Sequence, residues 1–220
     1  GEVARVVVCS DLDVDRSGCP NAVAVPNGAH RPEGVDSDRT RLRGSTPTML
    51  FVGALDYEPN TDAVEWMVRD VMPLIRQRMP ATVLRIVGRG AENVDWVAGV
   101  SGVDLVGGVD DLRQELDRAD VSVVPIRIGA GTRLKVVEAL AHHIPLVTTT
   151  VGTEGIEVVD GEHGLVVDDE RRFADACLRL LADGTERQRL ADRGAELFEA
   201  SYTWDAITNR VASIASGVVD

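Results

Sequence analysis

A chain of 220 residues, 44% apolar and 27% charged, carries enough apolar material for one large core, or one core and part of another. Its 21 glycines and 9 prolines follow no period, which excludes collagen-like and intrinsically disordered classes, and no apolar run approaches the length of a membrane-spanning helix. Against 36 Asp and Glu stand 23 Lys and Arg, a net charge of −13 that repels nucleic-acid phosphates and anionic headgroups, so an anionic ligand requires a local basic pocket.

The first apolar stretch, Val3–Cys9, reads as a strand already under way two residues into the chain, as expected of a segment belonging to a longer protein. No basic, apolar and small-residue sequence of a signal peptide precedes it. Cys9, Cys19 and Cys177 form an odd set without CxxC spacing, so neither a disulfide framework nor a zinc site is expected, and a reducing cytoplasmic location fits best. A second short strand, Ala22–Val25, ends at the turn Pro26-Asn27-Gly28. From Ala29 to Pro47 apolar patterning stops, and a run rich in charge, Gly and Pro reads as a linker or exposed loop at a domain boundary.

Regular patterning then resumes. Strands are predicted at Thr48–Val52, Val83–Val87, Val103–Val106, Val121–Val124, Leu146–Thr148 and Leu165–Val167, with helices between most of them. The first of these helices has Asn60 as its expected N-cap and Val64, Met67, Val68, Val71 and Ile75 on one face, with Pro73 expected to bend or shorten it. Later helices are placed around Phe173–Leu181, at about 185–200 and at about 202–216. Strands alternating with helices predict an α/β fold, a Rossmann-like parallel sheet with helices on both faces and right-handed crossovers.

In such a sheet ligands bind beyond the carboxyl ends of the strands, where this chain places glycines: Gly53, then Gly88 and Gly90. Gly88-x-Gly90-x-x-Asn93 lacks the third glycine of a dinucleotide fingerprint and does not follow the first strand of its domain. The richest loop follows Val121–Pro125 and contains Gly129, Gly131, Thr132, Arg133, Leu134, Lys135 and Glu138. Glycines opening onto a helix whose first turn brings two cations suit a diphosphate: free N–H groups, the positive end of the helix dipole, and fixed charge in an otherwise acidic chain. The competing reading is an i,i+3 surface ion pair between Lys135 and Glu138 worth a few tenths of a kcal/mol.

Taken in order, Pro26-Asn27-Gly28, Phe51-Val-Gly53, Pro59-Asn60, Leu84-Arg-Ile-Val-Gly88, Gly107–Asp110, Ala119–Pro125, Gly129-x-Gly131-Thr-Arg133-x-Lys135-x-x-Glu138-Ala, Pro145–Thr148 and Gly152-x-Glu154-Gly155 resemble the donor-binding half of a GT-B glycosyltransferase of family 4, the group 1 glycosyltransferases. The resemblance runs from Thr48 to about Trp204. It implies the tail of an N-terminal acceptor domain over 1–28, a linker over 29–47, a nucleotide-sugar domain over 48–200, and a C-terminal helix over 201–220 packing back toward the N-terminal domain. It further implies retaining transfer from a nucleoside diphosphate sugar, UDP- or GDP-linked, with no cofactor and no catalytic metal. The acceptor, a saccharide or a lipid-linked one, would be held by the N-terminal domain. Nucleic acid is not an expected partner, and membrane association is at most peripheral.

The family carries two glutamates with seven residues between them. Glu138 matches the second, which holds the ribose hydroxyls, while Ala130 stands where the first would be. The basic pair that many members carry after the first strand of this domain is missing from Gly53–Tyr57. Arg133 and Lys135 are the expected replacements and the expected catalytic cations, stabilising charge on the departing diphosphate. Gly53, Gly88, Gly129, Gly131, Thr132, Leu134 and Glu154 are expected to line the same donor site, although Glu154 could equally cap the next turn. Two rival functions remain open, a non-catalytic nucleotide-binding module and a GT-B epimerase acting on a UDP-sugar.

Other signals are set aside. Asp11-Leu-Asp13 suggests calcium or a DxD metal site, but Arg16 and Ala22 stand where an EF-hand needs Gly and Glu, so Ser10 is read as a helix N-cap. His142 and His143 are expected as partly charged imidazoles at a helix end. Trp66, Trp96 and Trp204 are expected in the core or at a domain contact rather than as stacking platforms for a base.

Overall fold

The predicted alternation folds as a computed structural model that describes residues 5–129, 131 and 133–216. Near the start, β1 (Val6–Val8) and β2 (Ala22–Ala24) pair in parallel around helix α1 (Asp11–Ser17). Ser10 caps α1 as expected: its Oγ accepts from the Asp13 N–H at 3.2 Å and donates to Asp13 Oδ2 at 2.8 Å. The β1 strand is shorter than the sequence reading, whose Val3 and Ala4 lie outside the described residues.

The main sheet has six parallel strands: β3 (Thr48–Val52), β4 (Val83–Val87), β5 (Val103–Gly107), β6 (Val121–Val124), β7 (Leu146–Thr148) and β8 (Leu165–Val166), ordered β5-β4-β3-β6-β7-β8. Both faces are covered. Met49 and Phe51 enter one hydrophobic cluster while Leu50, between them, enters another with Leu116, Ala139 and Ile144. The chain builds outward from β3 to β5, then returns to β6 on the other side of β3. This reversal opens a crevice beyond the carboxyl ends of β3 and β6.

Helix α2 (Glu58–Trp66) differs from expectation at its start. Tyr57 is the N-cap and makes no side-chain cap, Pro59 occupies the first turn where its missing N–H is no loss, and Asn60 lies inside the helix with its side chain buried. A π-helical turn, Met67–Val71, runs directly into α3 (Met72–Arg78). Pro73 therefore does not end the helix, because the wider turn ahead of it absorbs the lost hydrogen bond. The remaining helices are α4 (Arg113–Arg118), α5 (Leu134–Ala141), α6 (Glu170–Ala182), α7 (Gly184–Ser201) and α8 (Trp204–Ala215). Asp169, Asp183 and Thr203 cap the last three through their side chains.

Residues 29–47 form no helix or strand, yet the middle of this segment is fastened down. Arg39 is 2% exposed and donates to the carbonyls of Ala119 at 3.1 Å and His142 at 2.7 Å. Buried Arg187 donates to the carbonyls of Arg39 and Thr40 from one side and of Leu180 and Leu181 from the other. Asp120 accepts the N–H groups of Arg43 and Thr48. After α7 the chain turns at buried Tyr202, whose carbonyl accepts from the Ala29 N–H at 2.9 Å, so α8 leaves from beside the segment that follows β2. Among the described residues no helix is long and apolar enough to cross a membrane.

Candidate functional site

The crevice is built from backbone first. Val52 and Val87 deliver Gly53 and Gly88 side by side, and the Gly53 N–H donates to the Val87 carbonyl at 2.9 Å. A Cβ on Gly88 would overlap the Gly53 carbonyl oxygen, so only glycine lets the two loops meet. On the other side, β6 leads through Ile126 and Gly129 into α5. Gly129 has φ 99° and packs so closely on the Pro59 ring that a Cβ there would lie 2.6 Å from Cγ. The resulting recess, about 360 Å³, is lined by Gly53, Tyr57, Asn60, Ile126, Arg133 and Lys135, with Leu134 at its rim.

Lys135 reaches across this recess. Its Nζ donates to Asn60 Oδ1 at 2.6 Å and lies 4.6 Å from the centroid of the Phe51 ring. A Cβ on Gly53 would come within 2.8 Å of that nitrogen, so the ammonium sits directly over the β3 loop. Burial lowers the Lys135 pKa from its ordinary 10.5 to about 7; the nearby Arg133 charge adds to the effect and Glu138 opposes it. No ion pair within 4 Å joins Lys135 to Glu138 among the described residues: the lysine is engaged by Asn60 instead.

Arg133 is 6% exposed and donates to the carbonyls of Gly129 at 3.0 Å and Val151 at 3.3 Å. It ties the glycine loop to the turn after β7 and brings its charge to the wall of the recess. Glu138, one turn along α5, lines a neighbouring recess of about 400 Å³ with Gly28, His30, Leu112 and Trp204. Burial raises its pKa, with Lys135 pulling the other way. Glu154 closes the turn Val151–Thr153 as its C-cap residue, and its side chain pairs with Arg16 of α1 at 3.6 Å, beside Gly131 in a small hollow. Thr132, expected in the site, and Ala130, at the place of the family's first glutamate, lie outside the described residues.

Asn60 is the residue that sequence reasoning misplaced. A Pro-Asn pair ahead of an apolar helix is the ordinary signature of a cap, and nothing local reveals a partner 75 positions away. The histidines differ too. His142 stands at the C-cap of α5 and His143 is left-handed with φ 52°, but the end of the helix is closed by backbone bonds. Burial lowers both imidazole pKa values, which disfavours the charged form expected at a helix end. Of the tryptophans, Trp66 packs edge-on against Phe173 in the core, and Trp96 lies under Arg69. Trp204 is 47% exposed beside His30 at the mouth of the Glu138 recess. Among the described residues no group of three or more His, Cys, Asp or Glu is placed to hold a metal ion.

The fold and its glycine-lined switch point define a Rossmann-like α/β domain of the kind that forms one half of GT-B glycosyltransferases. Residues 46–183 match the family model described as glycosyl transferases group 1, and the chain belongs to that family. It is 28% identical over 217 residues to a glycogen synthase of Mycobacterium tuberculosis, covering 93% of this chain and 48% of the relative. It is 29% identical over 224 residues to a GDP-mannose-dependent phosphatidylinositol monomannoside mannosyltransferase of Mycolicibacterium smegmatis, covering 86% of this chain and 56% of the relative. The chain thus spans about half the length of the curated relatives it matches. In fold it is similar to sucrose-phosphate synthase from Thermosynechococcus elongatus, at TM-score 0.74 and 23% identity, covering 99% of this chain and 59% of that one. It is also similar to Anabaena HepE, solved in complex with UDP and glucose, at TM-score 0.75 and 13% identity, covering 97% and 63%.

Proposed function

We propose that this chain is the donor-binding part of a retaining glycosyltransferase that takes a sugar from a UDP- or GDP-linked donor without a metal and passes it to a saccharide or lipid-linked acceptor held by an N-terminal acceptor domain. The observation that carries the reading is the convergence of Lys135, Arg133, Asn60 and Gly53 on one recess at the switch point, beside the glycine loop that leads into the first turn of α5. In an acidic protein, that is where a diphosphate finds fixed positive charge.

As the bond to the sugar breaks, negative charge develops on the leaving β-phosphate while the anomeric carbon becomes cation-like. Lys135 Nζ, already desolvated and held by Asn60, stabilises that charge with little reorganisation. Arg133 adds charge from the wall of the recess and keeps the glycine loop in place. Glu138, a half-buried carboxylate acceptor one turn away, is assigned the ribose hydroxyls, and the Leu112 side of its recess the base. Residues 1–28 and α8, which meet beside Gly28, are assigned to the contact with the acceptor domain.

The test is titration of the 220-residue chain with UDP, GDP and ADP by calorimetry, with and without EDTA. Diphosphate binding that survives EDTA and is weakened about tenfold to a hundredfold in Lys135→Met supports the reading. A strict requirement for magnesium or manganese overturns its metal-free part. Failure of all three nucleotides to bind overturns the donor-site assignment and leaves the interaction-module reading.

A further inference from the structure

We propose that Asn60 is a positioning residue for diphosphate binding: its side-chain amide bridges the β3 loop and Lys135, so that the ligand meets a cation already fixed in place. The inference rests on the donor-site reading above and adds to it a residue outside the glycine loop. Asn60 is 6% exposed, and its two polar atoms have different partners. Nδ2 donates to the Ala54 carbonyl at 2.7 Å, and Oδ1 accepts from Lys135 Nζ at 2.6 Å.

These partners fix the amide's orientation. A carbonyl can only accept and an ammonium can only donate, so the reverse orientation would face like with like on both sides. The consequence is geometric: Asn60 fixes the spacing between the loop that leaves β3 and the cation that comes from α5.

The choice of an amide matters electrostatically. An aspartate would hold the same lysine at least as tightly but would cancel its charge, and an incoming diphosphate would meet a neutral pair. The amide oxygen takes one of the three Nζ protons and leaves the net charge intact, and the Phe51 ring supports the nitrogen from beneath without adding a formal charge. Of the α2 carboxylates, Asp62 is engaged with Arg127 at 2.6 Å and Glu65 with Arg69 at 3.2 Å. The titratable groups around the nitrogen are Arg133 and Glu138 from its own loop and helix, and Tyr57 from the start of α2.

The experiment measures UDP and pyrophosphate affinity between pH 7 and 9 for the 220-residue chain and for Asn60→Ala, Asn60→Asp, Lys135→Met and the double variant Asn60→Ala/Lys135→Met. Asn60→Ala is expected to weaken both ligands about tenfold, and to cost nothing further once Lys135 is gone. Asn60→Asp, nearly isosteric, is expected to weaken binding at pH 7 and to move the pH at which affinity declines upward, because a carboxylate holds the lysine proton longer. A purely structural role would not move that midpoint. Asn60→Asp and Asn60→Ala binding UDP within twofold of the unaltered chain, or an Asn60→Ala penalty that persists undiminished without Lys135, would overturn the inference. Failure of the unaltered chain to bind either ligand overturns the donor-site reading itself.

Discussion

Lys135 provides a prediction that can be worked from the folded chain alone. Its pKa falls from 10.5 in an unfolded chain to about 7 when buried beside Asn60 and Phe51. Between those two values the unfolded state binds a proton that the folded state does not, so stability rises with pH across that window, and below pH 7 the full cost of the buried charge remains. The slope is about 1.4 kcal/mol for each pH step, and the whole window corresponds to about 5 kcal/mol. The assay is urea unfolding of the unaltered chain and of Lys135→Met at pH 7, 8 and 9. Subtracting the two curves removes the contributions that both proteins share. The difference should move by about 2 kcal/mol in favour of the unaltered chain from pH 7 to pH 9, less than two full steps because the folded-state lysine still holds part of its proton at pH 7. A diphosphate, which favours the protonated lysine, reverses the trend for binding: UDP affinity should fall about tenfold from pH 7 to pH 9, above the phosphate's own second pKa of about 6. Parallel unfolding curves together with a flat affinity profile would refute the claim that this lysine is desolvated in the recess.

Three further outcomes follow from particular contacts. Glu138→Ala should weaken UDP about tenfold to a hundredfold and leave pyrophosphate unaffected, since the carboxylate serves the nucleoside rather than the phosphates; calorimetry with both ligands separates the two. Gly53→Ala places a Cβ 2.8 Å from both Asn60 Cγ and Lys135 Nζ, so UDP affinity should drop about tenfold with only a small change in melting temperature. Arg187→Met removes the donors from four buried carbonyls and should cost about 3–5 kcal/mol in denaturant unfolding, with early proteolysis within residues 36–43, the segment it straps down.

The sheet was legible because each strand is a short, mostly apolar run closed by Gly, Pro or a polar turn, and strands buried on both faces need no alternation to be recognised. The helix cap at Ser10 was legible because it depends on one side chain and the next three N–H groups, which local spacing encodes. What local spacing misrepresents is the middle of residues 29–47. Arg39 and Arg43 look like solvated charge in sequence, but Arg39 is buried because carbonyls of Ala119 and His142 converge on it from distant elements. Glu154 shows the same limit: a carboxylate in a glycine turn faces α1, whose approach only the tertiary fold decides.

One of the two departures from the family pattern is offset elsewhere in the fold. A glutamate is missing at Ala130 and a basic pair is missing after Gly53, and taken singly each suggests a weakened site. Yet α5 sends Lys135 back over Gly53, so positive charge stands at the β3 loop although no basic residue lies in that loop's own sequence. The loop can then stay small, as its close contact with Gly88 demands. Charge supplied from a helix carries a cost that charge on a loop avoids, because a lysine reaching across a packed recess is desolvated along its length. That cost is what makes the site responsive. On the proposed donor-site reading, a lysine whose pKa burial lowers to about 7 would recover its proton on meeting a diphosphate, and the interaction would grow with the charge on the leaving group.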